Sequence, residues 1–397
     1  MELSAQADRR RVDLLPLLVV LATIIGASVA LDLLVSARQM LLFWIGGALG
    51  LALYQASFGF TGGWKRFATE GRSRSMRMQF AMIGLAACAM IPLTSGLGGA
   101  EMTGAWAPIG VSMALGALIF GLGMQLGGGC GSGTLFTVGG GSARMLVTLA
   151  GFIIGATVAT AHLPFWFSLP QLPLVRFGHD LGVWAGLALT LALLALVIAA
   201  LAFAEKRRHG NIEGLFQDLR GFSPAKLLHG PWPLALAALV LALGNIATLL
   251  VAGHPWSVTY GFGLWGAKLF NALGIEVASW PFWQSAAQAS ALKASVLYDN
   301  TSVMNFGVIL GAALAASLAA KFAPKVKLPW KSLAAALIGG LLMGYGARLS
   351  FGCNIGALFS GIATGSAHGW IWFIMAFIGS LGGIALRPAF GLDGFRK

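Results

Sequence analysis

Two cysteines, Cys130 and Cys353, occupy the same place in a motif that the chain carries twice. GLGMQLGGGCGSGTLF covers Gly121 to Phe136, and GYGARLSFGCNIGALF covers Gly344 to Phe359. Aligned on the cysteines, the two stretches share G-x-G-x-x-L-x-x-G-C-x-x-G-x-L-F without a gap. A thiol is a weak hydrogen-bond donor, and as a thiolate it is a nucleophile. The glycines beside it are Gly129, Gly131 and Gly133 in one copy and Gly352 and Gly356 in the other. They leave backbone N–H groups open to an approaching anion. Ser132, Thr134, Asn354 and Ser360 add neutral donors. Each copy reads as an apolar helix, a Gly-Cys turn and a half-helix whose N-terminus favours negative charge.

A lone cysteine in an apolar run is a small packing residue, and glycine-rich turns are packing devices. Packing does not explain two cysteines at equivalent points of a repeat that has otherwise diverged. Cys88, the third cysteine, has no counterpart and is read as packing. Arg348 lies in a predicted helix five residues before Cys353, where a charge is a functional candidate. It either attracts an anion or snorkels to a surface. Gln125 takes its place in the first copy, so the halves differ in charge. Lys268 is a weaker candidate of the same kind. Arg144 and His368 each follow Gly-Ser-Ala and are read as capping helix ends or lining entrances. His162 and His254 fall near helix ends and are read as interfacial.

The elements that position these residues are membrane helices. Of the 397 residues, 57% are hydrophobic and 10% are charged, whereas a soluble chain carries roughly a quarter charged. Ten apolar runs are long enough to span a bilayer: about 14–36, 41–58, 78–95, 109–127, 144–162, 181–204, 232–252, 302–320, 333–349 and 370–387. The first follows Arg9 to Arg11, exceeds a signal-peptide core and lacks a small-residue cleavage site, so it is read as retained. The net charge of +13 is read first as orientation and second as basic vestibules for an anionic substrate. Basic loops follow the second helix (Lys65, Arg66, Arg72, Arg74, Arg77), the sixth (Lys206, Arg207, Arg208, Arg220, Lys226) and the eighth (Lys321, Lys325, Lys327, Lys331). Placing these loops and both termini in the cytoplasm satisfies the positive-inside rule. Nucleic acid is not indicated, because the basic residues form short clusters between apolar runs.

That topology inverts the second copy relative to the first. The expected fold is an all-α integral membrane protein of two inverted repeats, with Gly-Cys re-entrant loops meeting near the midplane. Residues 1–40 form a basic segment and an extra helix, 41–180 the first repeat, 181–231 a connecting helix and basic cytosolic linker, and 232–397 the second repeat. GFTGGWKRF (59–67) recurs loosely as YGFGLWGAKLF (260–270), and 258–273 is read as a half-membrane segment. The segments 163–180 and 274–301 are expected at the outer interface, and 205–231 is the candidate docking surface.

No carboxylate lies near the middle of a predicted helix, which lowers the odds of one route to proton coupling. There is no Walker A motif, no His/Cys cluster with metal-ligand spacing and no Ser-His-Asp arrangement. No cofactor or metal is expected, and an enzymatic role is not the first reading.

At the residues 121–136, 346–372 and, more weakly, 55–67, the chain resembles the YeeE/YedE family of membrane proteins. The resemblance covers the chain from about residue 41 onward, with the first helix as an addition to a nine-helix core. It implies a bacterial inner-membrane uptake path for thiosulfate, shaped like an hourglass. Thiols along its centre would pass the anion through S–H···S contacts, and Cys130 and Cys353 match two of them. A third family cysteine falls where this chain has Gly59, between Phe58 and Phe60. The resemblance also implies a small cytosolic sulfur-carrier protein as a partner. Other sulfur or selenium compounds, a membrane sulfurtransferase or thiol oxidoreductase using the two cysteines, and a structural membrane subunit remain competing readings.

Overall fold

A computed structural model describes residues 14–97, 99, 102–322 and 328–395. Arg9 to Arg11, Lys325 and Lys327 lie outside the described residues. Among the described residues the fold is all-helical. Its main helices are α1 (Leu14–Leu34), α2 (Ala37–Gln55), α3 (Phe60–Glu70), α4 (Arg74–Pro92), α5 (Val111–Gly127), α6 (Gly131–Gly139) and α7 (Ala143–Phe167). They continue with α8 (Val183–His209), α9 (Leu234–Ala252), α10 (Thr259–Ala272), α11 (Asn300–Leu318), α12 (Trp330–Leu349), α13 (Asn354–Ala363) and α14 (His368–Leu386).

Ten helical stretches are long and apolar enough to cross a membrane, and they coincide with the ten runs read from the sequence. The protein is a multi-pass membrane protein. The apolar runs become helices because a chain in hydrocarbon must satisfy its backbone hydrogen bonds internally. Two of the stretches are broken within. Ala37–Glu70 is interrupted between α2 and α3, where Ser57 has φ 48. Val111–Gly139 is interrupted between α5 and α6, where Gly128 ends α5 in the left-handed region at φ 87. α10 has 14 residues and so spans about 21 Å at 1.5 Å per residue, short of a hydrocarbon core of about 30 Å.

The helices approach closely through glycine. α12 packs against α5 and α7, α14 against α5, and α11 against α2. A Cβ at Gly121 of α5 would run into the Ala376 carbonyl, one at Gly344 of α12 into the Phe152 carbonyl, and one at Gly311 of α11 into the Gly47 carbonyl. Van der Waals contact at such crossings replaces the hydrophobic driving force that lipid does not supply.

Three expectations change here. Cys88 is exposed on the outer surface of α4, so it is not a packing residue inside the chain. A helix apolar on every face gives no sequence sign of which side meets lipid. The basic loop after α3 is also less free than its composition suggests. Glu205, fully buried at the end of α8, lies 3.1 Å from Arg77 and 3.3 Å from Arg72 and accepts the Ser73 hydroxyl at 2.6 Å. Arg66 pairs with Glu213 at 2.8 Å, and Arg74 with Asp218 at 2.6 Å. The linker therefore neutralises much of the neighbouring basic loop.

The segment 163–180 is also more helical than expected. α7 continues to Phe167 with Pro164 inside its last turn. In the 274–301 segment, Phe282 and Trp283 lie in short turns, and the Trp283 indole donates to Thr160 of α7 at 3.0 Å.

Candidate functional site

Both motif cysteines start a helix. Cys130 is the N-cap of α6, and its Sγ accepts the Gly133 N–H at 3.4 Å. Its Sγ also lies 3.5 Å from the Ser132 hydroxyl, and the Thr134 hydroxyl donates to the Cys130 carbonyl at 2.8 Å. Cys353 is the N-cap of α13, and its Sγ accepts the Ile355 N–H at 3.5 Å. The turn before it needs unusual backbone, with Phe351 at φ 60 and Gly352 at φ 151. A side chain on Gly352 would be strained, which is why the motif has glycine there.

The two loops meet. A Cβ built on Gly131 would stand 3.0 Å from Cys353 Sγ and 3.4 Å from Val258 Cγ1. The sulfur of one motif thus lies over the residue that follows the cysteine of the other. Both thiols are free, and they are 1% and 0% exposed. Gly129, Gly133 and Gly356 lie in the same two loops, and a Cβ on Gly133 would stand 3.4 Å from Cys130 Sγ. The helix N-termini direct N–H groups toward the thiols, so this enclosed place has donors and no fixed charge of its own.

Asn354, next to Cys353, is fully buried, and neither its Nδ2 nor its Oδ1 has a partner. A buried amide open at both ends has unused capacity to hold a polar group. Reading the sequence alone missed the amides that hold this region. Asn245 of α9 donates to Ser360 at 3.1 Å and accepts the Trp256 N–H at 2.8 Å. Asn305 of α11 donates to the Val258 carbonyl at 2.9 Å. The signal was present: each is an amide within an apolar helix.

Arg348 is not at the contact between the loops. It lines a cavity of about 350 Å³ with Ser257, Tyr260, Phe282 and His368. Its counterpart Gln125 is buried and donates to Ser380 at 2.7 Å. Gly59 lies outside the thiol contact as well, at the N-cap of α3, where its carbonyl accepts the Gln79 amide at 3.4 Å. Arg144 caps α5, donating to the carbonyls of Gly127 at 2.5 Å and Leu126 at 2.7 Å. Lys268 is committed to the carbonyls of Leu292 and Ala294 at 2.6 and 2.5 Å, so it anchors the segment 292–294. His162 lies 3.0 Å from the Tyr345 hydroxyl, and His254 lies 3.1 Å from Asn300.

A profile described as sulphur transport matches residues 55–381. The probable transporter YedE of Escherichia coli (strain K12) is 34% identical over 156 residues, which is 38% of this chain and 38% of that protein. The alignment to YedE therefore spans well under half of that relative's length. The thiosulfate transporter TsuA of Spirochaeta thermophila is 26% identical over 284 residues, 67% of this chain and 74% of that protein. TsuA of Escherichia coli (strain K12) is 26% identical over 352 residues, 84% of this chain and 90% of that protein. With the family profile covering most of its length and both motif cysteines, this chain belongs to the YeeE/YedE sulphur-transport family.

Proposed function

We propose that the protein conducts thiosulfate or a related small sulfur-containing anion across the membrane, handed between Cys130 and Cys353 by non-covalent S–H···S contacts. The observation that carries this reading is the position of Cys353 Sγ against Gly131, which supports two buried free thiols as consecutive stations. Thiosulfate is a soft dianion with a terminal sulfur. A thiol donates weakly to it, and N–H groups at the two helix starts, those of Gly129, Gly131 and Gly356 among them, offset charge without a fixed cation. Conduction needs binding strong enough for entry and weak enough for exit. The TsuA relatives, named as thiosulfate transporters, support the choice of substrate.

The same reading takes 41–180 and 232–397 as inverted repeats, with α6 and α13 as re-entrant half-helices. The packing of α12 on α5 and α7, and of α14 on α5, supports it, because each motif helix lies against elements of the other half. It sets the chain in the bacterial inner membrane with cytoplasmic termini, and it leaves exposed basic residues such as Lys206 and Arg207 to meet a small sulfur-carrier protein.

The test is uptake of radiolabelled thiosulfate by proteoliposomes holding the intact chain. Saturable uptake is expected, with unlabelled thiosulfate competing more strongly than sulfite or selenite. Intact, inserted protein that moves none of these anions would overturn the reading. The meeting of the two loops favours one second reading, a membrane sulfurtransferase or thiol oxidoreductase that uses both cysteines. A persulfide or mixed disulfide trapped at either cysteine during turnover would favour that enzyme over a conductor.

Gly59 supplies a further prediction. A Cβ there would meet nothing nearer than the Ser57 carbonyl at 4.0 Å, and its φ of −110 suits any residue. Gly59→Cys is expected to fold normally and to shift the relative rates of thiosulfate and sulfite uptake, since it adds a thiol where the family resemblance implies one. Unchanged rate ratios in a folded variant would remove Gly59 from the path.

A further inference from the structure

Arg348 ends α12 with its Nε and Nη2 enclosed and without a hydrogen-bond partner. Its guanidinium carbon lies 4.9 Å from the Phe282 ring centre and 5.4 Å from that of Tyr260. Two aromatic rings hold the cation in place, and its Nε–Nη2 edge lies against Gly263 without a bonded partner. The cavity it lines, about 350 Å³, also includes His368 and Trp106. His368 is 1% exposed, its Nδ1 lies 2.6 Å from the Ser366 hydroxyl, and its Nε2 has no partner. Both residues line one small cavity, and each carries buried nitrogen without a hydrogen-bond partner.

The cavity adjoins the thiol loops. Ser257 lines it, and a Cβ on Gly356 would stand 3.7 Å from the Ser257 hydroxyl oxygen. The next residue, Val258, touches the Gly131 position that Cys353 Sγ also faces. Phe351, two residues before Cys353, lines the same cavity.

We propose that Arg348 and His368 form a capture site for a small tetrahedral oxyanion, one station before the thiols. The site rests on the transport reading in one respect, that the captured anion moves on to Cys353. The chemistry divides the substrate. The guanidinium fork takes the hard sulfonate-like oxygens, and the soft terminal sulfur is left for the thiol. Sulfate and thiosulfate then share the first station, and the terminal sulfur separates them at the second. Capture is one-sided, because the matching place in the other half holds neutral Gln125, whose amide nitrogen is already bonded to Ser380 and to the Thr61 carbonyl.

The experiment titrates the purified full chain in detergent with thiosulfate, sulfate and chloride. Intrinsic fluorescence reports binding, because Trp106 lines the cavity. Thiosulfate and sulfate are expected to bind and to compete, with chloride far weaker. Arg348→Gln, which copies the other half, should weaken both at least about tenfold, a difference of about 1.4 kcal/mol. Arg348→Lys should recover part of the loss, since it keeps the charge without the fork. Cys353→Ala should weaken thiosulfate and leave sulfate unchanged. Folded Arg348→Gln with wild-type affinity for sulfate overturns the proposal, as does an Arg348→Lys variant indistinguishable from wild type should the glutamine variant not fold. In proteoliposomes the two ideas separate. Normal flux with an unchanged KM in Arg348→Gln removes the capture site and keeps the conductor. Absent flux in wild type with Arg348-dependent sulfate binding keeps the capture site and removes the conductor.

Discussion

Cys130→Ala and Cys353→Ala should each lower thiosulfate flux in proteoliposomes by about 10–100-fold, the loss expected when an enclosed polar contact of about 1–3 kcal/mol goes unmade. Cys88→Ala should leave flux unchanged, because that thiol is exposed on α4 and away from both motifs. The sulfurs are almost wholly buried, but each alanine removes a single heavy atom, so the stability cost should be about 1 kcal/mol. Flux and melting temperature are measured on the same preparations. Serine at either place sharpens the test. It restores a stronger donor of similar size but substitutes hard oxygen for soft sulfur. If softness matters, Cys353→Ser should recover less thiosulfate flux than its hydrogen-bonding capacity suggests. Full flux in both alanine variants would falsify the relay.

The second large effect is expected at Gly131, through shape. A Cβ there would already stand 3.0 Å from Cys353 Sγ, a tight contact, and 3.4 Å from Val258 Cγ1. Gly131→Ala should displace the sulfur by a few tenths of an ångström and reduce flux several-fold. Gly131→Leu has no room at all between the loops and should abolish flux below detection. Gly131 is the first residue of α6, and its backbone is helical, so a larger residue imposes no special backbone strain. The control is Gly121→Leu, at the crossing of α5 with Ala376, which should impair folding rather than passage. If Gly131→Leu conducts normally while remaining folded, the contact between the two loops is not on the path. The two variants therefore separate a blocked passage from a damaged bundle, which measurements of flux alone would not do.

The sequence by itself determined the membrane class, the ten spanning segments and the Gly-Cys breaks. These are local properties. Twenty apolar residues in hydrocarbon must become helical, and the glycines at Gly128 and Gly352 permit backbone that other residues resist. The repeated motif also marked Cys130 and Cys353 as a pair, and the family followed from the residues around them.

The tertiary structure alone decided what each of these residues faces. Cys88 lies in a helix as apolar as the others, and lipid and protein core ask for the same side chains, so no amphipathic stripe told its outer face from an inner one. The neutralisation of Arg72 and Arg77 by Glu205 joins α4 to the far end of α8, and the partners are well separated along the chain. The aromatic clamp on Arg348 is made by Tyr260 and Phe282, which lie in a short helix and a turn more than sixty residues before it in the chain. The contact of Cys353 with Gly131 is of the same kind. Spacing along a chain sets which backbone can turn and which stretch can cross a bilayer. Which side chains then share one enclosed space depends on how glycine-lined helices from distant segments pack, and that is a property of the whole bundle.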